Sequence, residues 1–338
     1  MKVIDVHTHM LNREWLELLR QHGAPRYGVR KRSDSAHEIV FDGAPFMTPM
    51  PGHFDWDLRI QEMDKAKVDL AIVSLTCPNV YWGGEETSLQ AARIVNDDYA
   101  RAQRTWPDRI RWMCSIPWQH PQAAIGELKR AQASGAVGVM VLANLDEMSL
   151  TDERFSAVWQ AIDDLALPVL VHPTAPPGTP AMDLRSYNLI ASVGFMLDTN
   201  LAIARMMFDG FFERFPNLKI IAAHAGAALP YLVGRLDQCF DHMPACRAKI
   251  SSKPSEFMRH IYYDAVTYQQ EPLELCIKVG GADHVMYGSD YPHNIGDMVG
   301  CLARVDALPA AQRDAVRGAT PPVSSKSSAA RPSSEASV

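Results

Sequence analysis

Apolar residues in this chain fall in short dense runs, separated by longer segments whose apolar positions recur every three or four residues. Eight runs read as strands: Val3–Val6, Leu70–Leu75, Ile110–Ile116, Ala136–Leu142, Pro168–His172, Lys219–His224, Ile261–Asp264 and His284–Ser289. Most are apolar on both alternating sets, as strands covered on both faces should be. Helical patterns lie between them at Asp57–Lys67, Ser88–Thr105, Pro121–Ala133, Asp152–Leu165, Leu201–Phe212 and Pro230–His242. This alternation predicts a parallel α/β sheet, and eight strands are the number that closes a (β/α)8 barrel of the TIM type. An open doubly wound sheet is the competing architecture. Polar residues at the C-terminal ends of several strands favour the barrel. Two connections are long and rich in Pro and Gly, residues 10–55 and 173–198. They read as loops that build a pocket at the C-terminal face, the first being an insertion after the first strand.

Composition narrows the class. With 338 residues, 47% hydrophobic and 21% charged, the chain can bury a sizeable core and is not of the disordered type. A formal charge of −6 gives no reason to expect a nucleic-acid or membrane-surface partner. No uninterrupted apolar stretch reaches membrane-span length, and the start, Met1-Lys2-Val3-Ile4-Asp5, lacks the pattern of a secretory signal. The six cysteines (77, 114, 239, 246, 276 and 301) form no CxxC pair, so reduced thiols in the cytoplasm are expected. The last 21 residues differ from the rest: from Gly318 they hold seven Ser and three Pro. The expected organisation is therefore one barrel over 1–317 and a tail over 318–338, either disordered or the product of a reading-frame shift near codon 318.

The candidate chemistry sits at strand ends. His7 and His9 alternate around Thr8, so both imidazoles share one face. His172 ends an apolar run, His224 ends Lys219–His224, and Asp290 follows Val285-Met-Tyr-Gly-Ser289. Singly, each reads as a polar residue leaving a sheet for a turn. Jointly they are four strands of one sheet ending in HxH, His, His and Asp. A shared divalent cation would satisfy such buried imidazoles and carboxylate at once.

This constellation resembles the amidohydrolase superfamily, and within it the branch of 2-amino-3-carboxymuconate-6-semialdehyde decarboxylase and related non-oxidative decarboxylases. The resemblance runs from Ile4-Asp5-Val6-His7-Thr8-His9 to about Arg317. It includes Arg59–Asp64, Asn96-Asp97, Pro168–Pro173, Phe211–Phe215, Gly234–Asp237, Lys253–Phe257 and Met286–Pro292. It implies that His7, His9, His172 and Asp290 bind one divalent metal, zinc in the named decarboxylase and manganese in some relatives, with no organic cofactor. It also implies a metal-bound water, with His224 beside it as acid/base and Asp290 as a possible proton shuttle besides ligand. The fourth run ends in Asn144 and carries no lysine, so the resemblance implies a mononuclear centre. Arg235 matches an arginine that reaches a substrate carboxylate across a homodimer interface. Met47 falls where the family has a second substrate arginine, and Ala191 where it has a pocket tryptophan. Tyr81 and Trp82 are candidates for lining the substrate pocket.

The implied reaction is non-oxidative decarboxylation of a small aromatic or muconate-semialdehyde-type acid. Hydrolysis or hydration of a lactone, amide, carbon–carbon bond or unsaturated acid could use the same centre. The departures at Met47 and Ala191 keep that alternative open.

Overall fold

Each of the eight apolar runs supplies one strand to a single parallel sheet. The computed structural model describes residues 2–32 and 36–319. Barrel strands one to eight are Ile4–His9, Leu70–Ser74, Ile110–Cys114, Gly138–Leu142, Pro168–His172, Lys219–Ala222, Ile261–Asp264 and Val285–Met286, adjacent in that order. The edges meet: Val6 N donates to Tyr287 O at 3.0 Å, Ser289 N donates to His7 O at 3.1 Å, and Thr8 bridges to Tyr291. The dense runs form strands because both faces are covered. Val139, Met140 and Val141 are fully buried, as are their neighbours Val169, Leu170 and Val171.

Helices fall between the strands, with one informative difference. The pattern over Leu201–Phe212 is divided between Phe195–Phe208 and the short Phe211–Arg214. Gly210 separates them at φ 70°, where a Cβ would come within 2.7 Å of the Lys249 carbonyl oxygen. Only glycine takes that turn without strain. The longer stretch Ser186–Phe208 has the length and hydropathy of a membrane span, although polar residues interrupt its apolar run. Its Asp198 is buried and accepts hydrogen bonds from Thr174 N and Asn144 Nδ2, so this run is packed against the barrel mouth.

The connection after strand one is not a plain loop. It contains the helix Arg13–His22 and an antiparallel sheet of Tyr27–Lys31, His37–Phe41 and Ala44–Met47. Asn12 caps the helix by accepting from Glu14 N and Trp15 N. Asp42 and Gly43 form the tight hairpin turn with φ of 47° and 78°. Asp-Gly is a strong hairpin signal, but the Pro and Gly content of residues 10–55 reads as a loop, so this sheet was not expected. The sheet reaches the second long connection through Phe41, which packs with Ala175, Leu184 and Ile190.

At the other end, the helix Ala310–Gly318 packs on strand eight, and Val316 O accepts a hydrogen bond from Tyr287 N at 3.0 Å. Gly318 therefore belongs to this helix rather than to a tail. The tail expected beyond it lies, from Thr320 to Val338, outside the described residues.

Trp159 shows how the outer helices are held to the barrel. It is fully buried, meets Trp118 at 4.7 Å and Phe211 at 5.0 Å between ring centroids, and donates its indole N–H to Leu150 O. Trp159→Ala should cost about 3–5 kcal/mol, because it leaves both a cavity and an unpaired carbonyl. The check is the shift in urea midpoint at unchanged slope.

Candidate metal centre

Three imidazoles at the barrel mouth have their outer nitrogens committed. His7 Nδ1 meets Asp264 Oδ2 at 2.6 Å, and His172 Nδ1 meets the Pro173 carbonyl oxygen at 2.8 Å. His9 Nδ1 lies 3.3 Å from both Leu75 O and Ser74 Oγ. Carbonyls and carboxylates only accept, so each ring carries its proton on Nδ1 and turns the Nε2 lone pair inward. The inward atoms are close. His7 Nε2 and His9 Nε2 are 3.1 Å apart, and Asp290 Oδ1 is 3.5 Å from the first and 3.1 Å from the second. His172 Nε2 is buried with no hydrogen-bond partner. Facing lone pairs beside a carboxylate repel one another, and a divalent cation is the group that fits them. Ligand-capable atoms of His7, His172, His224 and Asp290 lie within 4.8 Å of one another, and so do those of His9, Asp290 and His293.

Burial pushes His9 down to about 3 and His172 well below its usual range, so both stay neutral and able to bind metal. Burial acts the same way on His7, but the Asp264 carboxylate outweighs it and the net movement is upward. For Asp290, burial favours the neutral acid. The surrounding His293, His224 and His9 rings overcome that and hold the carboxyl well below the carboxylate range.

His224 differs from the other three imidazoles. It lies beyond strand six in a one-turn helix, with φ and ψ of 55° and 56°. This left-handed backbone is strained for histidine, and Asp264 holds it by accepting from His224 N and Ala225 N, both at 2.8 Å. Its Nδ1 has no partner, its Nε2 stands 3.6 Å from Asp290 Oδ2, and its side chain retains 10% exposure. Metal-binding histidines almost always donate their second N–H to an acceptor. His7, His9 and His172 do so, and His224 does not.

The remaining sequence candidates lie apart from this cluster. Tyr81 and Trp82 are buried and line a cavity of about 330 Å³ at the same end of the barrel, with Tyr27, Phe41, Arg26 and Thr174. The Tyr81 hydroxyl is buried without a partner, whereas the Trp82 indole donates to Asn79 O. Met47 is half-buried and packs against the main core from the inserted sheet. Arg235 is exposed on the helix Leu229–His242, and no hydrogen bond or ion pair engages it among the described residues.

Several residues of the site were not anticipated. Asp264 ends strand seven as the other ligands end theirs, so its position alone was the missed signal. His293 follows Asp290 by three residues; its ring lies 5.0 Å from that of His9, and its Nε2 meets Thr76 Oγ1. His53, fully buried in the first connection, lies 5.1 Å from His293 between ring centroids. A histidine inside Pro51-Gly52-His53 carries no local signal of that placement. Asn144, two residues beyond strand four, is turned aside by its bonds to Asp198 and Ala175 O.

The amidohydrolase family model matches residues 4–321. The 2-amino-3-carboxymuconate-6-semialdehyde decarboxylase of Dictyostelium discoideum is 30% identical over 304 residues, covering 88% of this chain and 83% of that protein. The gamma-resorcylate decarboxylase of Polaromonas sp. is 28% identical over 251 residues, covering 70% of this chain and 76% of its own. Among solved structures, 5-carboxyvanillate decarboxylase from Sphingomonas paucimobilis superposes with a TM-score of 0.82 at 24% identity. It covers 94% of this chain and 96% of that one. The same enzyme from Novosphingobium aromaticivorans, solved with bound manganese, gives 0.78 at 22% identity, covering 95% of each chain.

Asp264 supplies the acceptor that fixes His7 and raises its proton affinity. Metal and proton therefore compete for His7 Nε2, so affinity should fall and proton release on binding should rise as pH drops. Asp264→Asn should weaken metal binding roughly 10–100-fold and lower that proton release. Calorimetry in buffers of different ionisation enthalpy measures both.

Proposed function

This chain belongs to the amidohydrolase family, and from that membership and its metal centre we propose that it is a carboxy-lyase. The substrate is a small aromatic or muconate-semialdehyde-type carboxylic acid, which loses CO₂ without an oxidant. One observation carries the reading: three imidazoles oriented for a metal surround a carboxylate, and a fourth stands beside them uncommitted. The named relatives that cover most of this chain are decarboxylases.

His7, His9, His172 and Asp290 would hold one divalent cation. Zinc suits the three-nitrogen, one-oxygen donor set, and manganese is the alternative to test. When bound, such an ion supplies positive charge that polarises a substrate carboxylate or a neighbouring oxygen.

The rest of the chemistry falls to side chains. Breaking the C–COO⁻ bond leaves its electron pair on carbon, and that carbon must take up a proton as CO₂ departs. His224 is the acid/base for this transfer, since it is partly exposed and close to Asp290. Asp290, ionised 3.6 Å away, orients the imidazole and can take a proton from it to relay toward the substrate carbon. Tyr81 and Trp82 supply apolar walls for the ring or conjugated chain. Arg235, with no hydrogen bond or ion pair among the described residues, can meet a substrate carboxylate in a second copy, so we assign a homodimer. Met47 stands where the resemblance has a second substrate arginine and carries no charge, which favours an acid with a single carboxylate. Reduced cysteines are in keeping with a cytoplasmic enzyme, with no nucleic-acid or membrane partner.

The test is a panel of hydroxybenzoates, pyridine carboxylates and muconate semialdehydes, with CO₂ and absorbance followed together. CO₂ release should track metal occupancy. His224→Ala should lose about 100-fold or more in turnover, the usual contribution of a positioned acid/base, while keeping its metal. A product that gains water and loses no CO₂ would move the reaction to hydrolysis or hydration on this centre.

A further inference from the structure

Arg59, on the helix Trp56–Ala66, is fully buried, and its charge is directed at the backbone of the metal centre. The guanidinium donates to Thr8 Oγ1 and to the His9 carbonyl oxygen. Thr8 Oγ1 in turn donates to Tyr291 O at 3.0 Å, and His9 N donates to the same oxygen at 2.8 Å. The Tyr291 ring lies beneath the guanidinium, 4.5 Å from its carbon. Thr8 separates His7 from His9, and Tyr291 directly follows Asp290. One side chain thus ties the segment bearing two histidines to the segment bearing the carboxylate.

These segments meet where the barrel closes. The eighth strand has only two residues in the ladder, Val285–Met286, so regular pairing ends before Asp290. Beyond it, discrete contacts set the distance between the first and eighth strands. Asp5 adds another, accepting from Ser289 N at 3.1 Å and Ser289 Oγ at 2.6 Å. It also supplies the countercharge nearest to Arg59 in effect.

Stability alone does not call for a guanidinium here. Taking it out of water costs several kcal/mol, and an apolar side chain would serve as well or better for packing. Its Nε is buried without a partner, so the charge is incompletely compensated. Burial lowers its pKa to about 10, which leaves it charged at neutral pH. What an apolar side chain could not do is donate to both a hydroxyl and a carbonyl from one fixed plane.

We propose that Arg59 is a positioning residue that sets the spacing between the His7/His9 pair and Asp290, and through it the affinity and geometry of the metal. The role rests on the metal centre proposed above, and it is tested by binding rather than turnover. Zinc and manganese affinities would be measured on the full chain by competition with a chromophoric chelator. The Co²⁺ absorption spectrum and the unfolding midpoint of the metal-free protein complete the set. Variants are Arg59→Met, Arg59→Lys and Thr8→Val, the last removing the hydroxyl relay while leaving the guanidinium in place.

Arg59→Met should weaken both ions roughly 10–100-fold and shift the Co²⁺ bands, as loss of a group supporting metal ligands does. Arg59→Lys, which keeps the charge and one donor direction, should recover part of the affinity. Thr8→Val should fall between wild type and Arg59→Met. Unchanged affinities and Co²⁺ spectra in Arg59→Met and Thr8→Val would overturn the role, even with a lowered unfolding midpoint. If Arg59→Met does not fold, Thr8→Val decides. A wild-type chain that binds neither ion would remove the metal centre itself, an outcome distinct from a normal wild type with normal variants.

Discussion

Lone pairs that cannot avoid one another govern the active end of this barrel. Once Asp264, the Leu75 carbonyl and the Pro173 carbonyl take the outer N–H groups of His7, His9 and His172, the inner nitrogens have no protons to share. They converge beside the Asp290 carboxylate in a region that excludes water. In such surroundings unpaired acceptors are costly, and a cation relieves all four groups together. The same commitments separate ligands from acid/base. His224 has no acceptor on its second nitrogen, so its ring is free to handle protons.

The barrel makes this convergence possible by bringing strand ends from opposite extremes of the chain to one mouth. His7 and His9 lie near the start and Asp290 nearly three hundred residues later, yet backbone bonds at Ser289 and Asp290 join them directly. The backbone at the mouth is correspondingly unusual. Both His224 and Asp290 are held at positive φ. At Gly296, a Cβ would come within 2.3 Å of the Asp290 carbonyl oxygen, so the following loop must pass close behind the carboxylate. Strain of this kind persists where surrounding contacts fix it, and here those contacts belong to the site.

Much of this was legible in the amino-acid order. The β-branched runs mark the strands, since burial on both faces leaves no room for polar alternation, and their polar ends mark His172 and Asp290. The HxH spacing places two imidazoles on one face with no further information. Other features depend on contacts between distant segments. His53 reaches His293 only because the first connection folds back over the mouth, which no local pattern encodes. Asp264 was visible as a strand end but not as the partner of His7, a relation fixed by the barrel's closure. The sheet after strand one was hidden by its Pro and Gly content, although Asp42-Gly43 marked its hairpin. Arg59 appeared within a recognisable stretch, and its role emerged only when its guanidinium was traced to Thr8 and His9.

If the lone pairs govern this site, one cation sits within the Nε2 atoms of His7, His9 and His172 and the Asp290 carboxylate. Anomalous X-ray diffraction from crystals loaded with zinc or manganese tests it most directly. One strong peak is expected, bounded by those four groups, with metal–nitrogen distances near 2.0–2.1 Å for zinc, and with His224 beside it but not bound. A peak centred instead on His9, Asp290 and His293, a second peak of equal strength, or none at full loading would contradict it.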